Sequence, residues 1–120
     1  MPTEITAEGY GDLRVYVRDT WHYMELRDEL EAVIHRFNIG AGERAIENGT
    51  VKFTQVVTGQ DILDSPINGS LPTTVKHSAL FKVATLGDEM DEYELTEFTF
   101  GEVGDECTFV HEVQVPQVGE

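Results

Sequence analysis

Histidine, serine and carboxylate are the side chains from which this chain could build a reactive centre, and their spacing argues against one. His22, His35, His77 and His111 are scattered along the sequence. None pairs with another at the H-x-H or H-E-x-x-H spacing that brings two imidazoles onto one metal ion. His111 and Glu112 are neighbours, so on a strand they point to opposite faces. The pattern reads as structural histidines and no metal site. Ser65, Ser70 and Ser78 stand in no G-x-S-x-G elbow, and no order of Ser, His and Asp suggests a hydrolytic triad. Asn38 to Gly42 (NIGAG) carries a G-x-G without the third glycine or a surrounding βαβ unit, which makes it a turn. Asp88, Glu89, Asp91 and Glu92 crowd into GDEMDEYE without the ligand order of a calcium loop, and read as a solvated segment. The single Cys107 has no partner for an intramolecular disulfide and cannot form a thiolate zinc cluster. Between Glu106 and Thr108–Phe109–Val110 it reads as a small buried strand residue. No catalytic residue and no cofactor is expected.

Binding side chains are the other possibility. Aromatic residues and arginine dominate the centres of protein interfaces. Tyr16, Trp21, Tyr23 and Arg27 cluster in the N-terminal half and are the interface candidates. Two N-x-[ST] triplets, at Asn48 (Asn48–Gly49–Thr50) and Asn68 (Asn68–Gly69–Ser70), fall in turn-forming sequence and are candidate glycosylation acceptors.

The elements that must position these residues read as mostly β. Residues 1–9 lack periodicity and are expected as an arm. Leu13, Val15 and Val17 alternate with Arg14 and Tyr16, as a half-buried strand would. Residues 20–37 admit two readings. Tyr23, Leu26, Leu30, Val33 or Ile34, and Phe37 fall at helical spacing, with Thr20 as a cap and Asn38–Gly40 as a stop. The same stretch also parses as strands Trp21–Arg27 and Ala32–Ile39 around the charged turn Asp28–Glu31. Propensity favours the helix.

Beyond Gly40 the strands are plainer: Thr50–Thr58 (TVKFTQVVT), Val75–Thr85, Tyr93–Phe100 and Thr108–Val115. Residues 60–73, with two prolines, read as a long surface loop. The last two strands flank the glycine turn Gly101–Glu106 and are expected to pair as an antiparallel hairpin, with Leu95, Phe98, Phe109, Val113 and Val115 as core candidates. Pro116 stops the final strand and leaves 116–120 as a tail. The predicted class is mainly β, an antiparallel sandwich or small barrel in one domain (residues 1–120), with one helix near 20–37.

Charge narrows the setting. Twenty-three Asp and Glu oppose eight Lys and Arg, a net charge of −15 on 120 residues. At that density self-repulsion opposes compaction, unless salt screens it. Arg14, Arg18, Arg27, Arg36 and Arg44 outnumber Lys52, Lys76 and Lys82. Acid excess and arginine preference together suggest a halophilic source. There is no basic stripe, so neither nucleic acid nor an anionic membrane is an expected partner. No apolar run approaches a membrane span, and residues 1–20 hold no signal-peptide pattern.

Ile34–Gly42 (IHRFNIGAG), Ser78–Thr85 and Tyr93–Val113 (YELTEFTFGEVGDECTFVHEV) together resemble small structural β-domains of tailed-virus tail-fibre and baseplate proteins. The shared features are an I-x-I-G-x-G-like opening, a T-E step (Thr96–Glu97) before aromatic Phe98 and Phe100, a glycine turn (Gly101–Gly104) and a closing strand. That closing strand has His111 after Phe109 where the pattern usually places Arg. With the acidic composition, the resemblance implies a virion protein of a haloarchaeal tailed virus in the tail, baseplate, fibre, capsid decoration or turret. It would be non-catalytic, partnered by itself as a homo-oligomer and by other virion proteins. The competing expectation is a haloarchaeal ligand-binding or barrel enzyme domain, which would need polar groups such as His77, His111 and Tyr93 to converge on one cavity.

Overall fold

The computed structural model describes residues 6–67 and 69–115. The chain opens with helix α1 (Ala7–Thr20), whose first turn is capped by the Thr6 hydroxyl accepting from the Gly9 amide at 3.0 Å. Strands β1 (Tyr23–Arg27) and β2 (Val33–Asn38) follow. A single 3-10 turn (Ala41–Glu43) leads into β3 (Arg44–Glu47) and β4 (Thr50–Thr58). After the short helix α2 (Gly59–Leu63) come β5 (Thr73–Phe81), β6 (Asp91–Phe100) and β7 (Glu106–Gln114). The strands form two antiparallel sheets, ordered β2-β1-β5-β6 and β3-β4-β7. The architecture is mainly β, a small sandwich with α1 packed against the second sheet.

One core lies between the sheets. Met24, Leu26, Ile34, Val75, Leu80 and Phe100 enter it from the first; Val51, Phe53, Val57, Phe109 and Val113 enter from the second. Val17 of α1 and Ile62 of α2 close its ends. Arg14 fastens α1 to the second sheet by donating to the Gly49 and Val115 carbonyls, at 3.1 and 2.8 Å.

Several placements differ from the sequence-based expectation. The helix lies at Ala7–Thr20, not near 20–37, and Leu13–Val17 is helical, not a strand. An alternation of five residues fits both periods, because Val17 is also one helical turn from Leu13 and Tyr10 and Arg14 fall on the same side. Ala7–Gly9, assigned to the arm, form the first turn of α1; residues 1–5 and the tail 116–120 lie outside the described residues.

Residues 20–37 form the hairpin β1–β2. Met24 and Leu26 point inward and alternate with Tyr23, Glu25 and Arg27. Leu30, needed for the helical stripe, sits 83% exposed in the turn. The Asp28 carboxylate builds that turn by accepting from the Leu30 and Ala32 amides at 2.9 and 2.8 Å. The expected loop 60–73 also begins with α2, whose start is a capping box between Thr58 and Asp61.

The last difference decides where the molecule is open. β6 and β7 are consecutive but do not pair: β6 edges the first sheet and β7 edges the second. The turn between them is fixed from two sides. Within it, the Asp105 carboxylate accepts from the Gly101 and Glu102 amides. From outside, the Gly59 and Gln60 amides of α2 donate to the Asp105 and Val103 carbonyls. Held this way, β7 runs into a nine-residue ladder with β4 and away from β6.

Candidate interaction site

Three polar constellations could carry chemistry. The first lies in the core. Ser78 of β5 and His111 of β7 occupy inward positions, and both are 0% exposed. The Ser78 hydroxyl meets His111 Nδ1 at 2.6 Å, and His111 Nε2 meets an Asp91 carboxylate oxygen at 2.7 Å. A carboxylate only accepts, so Nε2 carries a proton, and in the neutral ring Nδ1 accepts from the serine. This Ser–His–Asp chain uses the two ring nitrogens in the opposite sense to the hydrolytic triad. Its serine touches no solvent. What the relay does mechanically is join β5 and β6 of one sheet to β7 of the other. No order of Ser, His and Asp in the sequence announces this chain of contacts. The available signal was a polar residue at an inward strand position, Ser78 beside Leu80 and His111 between Phe109 and Val113.

The second constellation lies on the outer face of the first sheet. Buried Glu25 accepts from Arg27 Nε at 2.9 Å and from Arg36 Nη2 at 2.9 Å. The Arg36 guanidinium stacks 3.6 Å above the Phe81 ring and donates to the Val83 and Leu86 carbonyls, tying down the segment between β5 and β6. Arg27 reaches Glu89 at 2.7 Å. Burial opposes the Arg27 charge, but hydrogen bonds to Glu25 and Glu89 outweigh it and raise the pKa of the guanidinium. Nearby Glu92 is raised as well, first by its hydrogen bond with Glu31 and then by burial. Beside this network lies an open groove of about 530 Å³, lined in part by Val33, Ile67, Phe81 and Leu86.

The third is the cleft between the edges of β6 and β7, about 300 Å³. Tyr93, Leu95 and Phe98 line it from β6; Cys107, Phe109 and Val110 line it from β7. Glu94 and Glu97 also line it, and both are exposed. At mid-strand Leu95, Thr96 and Glu97 stand against Lys76 alone in the pairing of β6 with β5. Such a bulge bends the edge. The Cys107 thiol is half-buried, and that burial raises its pKa.

Of the interface candidates, Tyr23 and Arg27 share the outer face of the first sheet, with Arg27 engaged by its carboxylate partners. Trp21 ends α1 and packs partly against the core. Tyr16 is 51% exposed on α1. Asn48 occupies the tight β3–β4 turn with positive φ (50°), followed by Gly49 at 82°. Asn68 lies outside the described residues. Of the residues proposed to meet in a cavity, Tyr93 and His111 stack with centroids 5.2 Å apart. His77 is turned away: it is opposite Arg27 in the ladder, next to inward Ser78. Among the described residues no group of three His, Cys, Asp or Glu has metal-binding geometry. Among the described residues no helix is long and apolar enough to cross a membrane. Comparison with family models, curated proteins and solved structures gives no match to this chain.

Proposed function

We propose that this chain is a non-catalytic structural protein that acts by self-association and by docking onto other proteins, as a virion component of a halophilic tailed virus. One observation carries the reading. The polar clusters inside the fold satisfy one another, whereas the backbone at the facing edges of β6 and β7 has no strand partner among the described residues. Unpaired edges are templates for adding a strand from elsewhere. The virion setting rests on the sequence resemblance and the acid excess. In this reading the Ser78 relay is a clamp between sheets, and its hydroxyl is sealed from any substrate.

The groove over Phe81 supports a second reading, a small-ligand site beside Arg27 and Arg36. Light scattering in molar potassium chloride separates the two. A defined oligomer supports assembly; a strict monomer that binds no particle fraction from its host overturns it. A fluorophosphonate serine probe should leave Ser78 unlabelled, and stoichiometric labelling would refute the non-catalytic assignment.

A further inference from the structure

We infer that the β6–β7 cleft takes an extended, lysine- or arginine-bearing segment of a partner protein, added as a strand along the β6 edge. This rests on the docking reading above and names the partner's chemistry. Three features of the cleft define that chemistry. Its walls are two strand edges, so the occupant must be extended and must offer backbone amides and carbonyls to an unpaired edge. Its lining carries Leu95, Phe98, Phe109 and Val110, which suit apolar side chains at every second position of a strand.

Its charged lining residues are Glu94 and Glu97, with no cation among the lining. Lys76 approaches Glu94, at 3.2 Å, and Glu97 has no cationic partner among the ion pairs of the described residues. A basic segment complements these carboxylates. A second copy would bring its own acidic edge, since β6 alone holds Asp91, Glu92, Glu94 and Glu97. At this edge the acidic charge and the bulge favour a cation-bearing strand over a second β6, which leaves self-association to other surfaces of the chain.

Cys107 is the chain's sole cysteine and lines the cleft, so its reaction with a maleimide reports occupancy without any engineered label. The probes are a nine-residue peptide alternating valine and lysine, matched to the length of β7, and its valine–glutamate counterpart. The experiment uses the full chain in the lowest potassium chloride at which it stays folded. Saturating lysine peptide should slow labelling about tenfold and bind about tenfold tighter than the glutamate peptide, a ratio suited to two exposed carboxylates. Amide shift changes should map to β6 and β7. The exposed double variant Glu94→Lys, Glu97→Lys should reverse the preference.

Equal protection by both peptides, or by neither, overturns the inference. Labelling that slows with protein concentration alone overturns it in favour of a second copy. Light scattering on the same samples keeps the two claims apart. An oligomer whose Cys107 ignores both peptides leaves the assembly reading standing and removes this one. A monomer protected by the lysine peptide removes self-association and leaves the cleft.

Discussion

His111 is the residue on which most of the buried polar chemistry depends. It satisfies the Ser78 hydroxyl on one side and the Asp91 carboxylate on the other, and no buried side-chain polar atom among the described residues lacks a partner. His111→Ala would open a cavity and strand the Ser78 hydroxyl at once. The expected loss is about 3 kcal/mol or more by denaturant titration, against about 1 kcal/mol for Ser78→Ala, which removes only one end of the chain. A His111→Ala variant within about 1 kcal/mol of the parent would show that the clamp contributes nothing.

His35 makes a pH prediction. Its Nδ1 lies 3.2 Å from the Ser65 hydroxyl, whose proton is given to the Ile34 carbonyl at 2.6 Å, so the imidazole must donate. Burial lowers the pKa of this histidine from its ordinary 6.5, more than Asp61 raises it. The unfolded chain then binds the proton more readily than the folded one. The contribution is fully present above about 6.5, and is lost as pH falls through that value and through the lowered folded one. Thermal midpoints should decline across that window, and His35→Gln should flatten the decline. An unchanged slope in the variant would assign the pH response elsewhere.

At the level of elements, legibility followed local chemistry. Asn48–Gly49 reads as turn-forming sequence, and the structure places both residues at positive φ between β3 and β4, as a two-residue hairpin turn requires. The run TVKFTQVVT became β4 with the bounds expected, because β-branched and aromatic residues fill a pleated, half-buried surface. The first forty residues were harder to read, since short apolar spacings there fit either period and burial decided between them. The sheet assignment of β6 and β7 was hidden for another reason. A glycine turn says that two strands are consecutive, but contacts with α2, some forty residues upstream, prevent their pairing. The cleft is a product of that docking, and so it left no mark in the local sequence. The Ser78–His111–Asp91 relay needed the same long-range knowledge.

Gly59 is where α2 approaches the β6–β7 turn most tightly. A β-carbon there would overlap the Glu102 carbonyl, a backbone atom that cannot swing aside. Gly59→Ala should therefore cost about 2–3 kcal/mol and shift the amides of 101–105, whereas Gly104→Ala, whose β-carbon meets open space, should not cause that overlap. Phe109→Ala in the core should cost about 3–5 kcal/mol. Half-buried Phe98, bordering the cleft, should cost less. Equal losses at the two phenylalanines would mean that the cleft is closed in solution.

For the whole molecule, the net charge sets the conditions under which the fold holds. Glu25 is the sole buried acid among the described residues, and it is neutralised by two arginines. The other carboxylates lie at or near the surface, where the five arginines and three lysines are too few to pair them. Arg27 and Arg36 are spent on Glu25, and Lys52 and Lys76 on single strand faces. The remaining −15 can be relieved only by ions from solution. As salt falls from about 1 M to 0.1 M the Debye length grows from about 3 Å to about 10 Å, and surface carboxylates that ignored one another begin to repel. The two sheets meet without a shared ladder at β6 and β7, so that repulsion acts across the least tied seam of the fold. The thermal midpoint should therefore drop as potassium chloride falls below about 0.5 M, with β6 and β7 amides losing hydrogen-exchange protection before those of β4. Equal midpoints in dilute and molar salt would remove the halophilic reading, and with it the setting proposed for this protein.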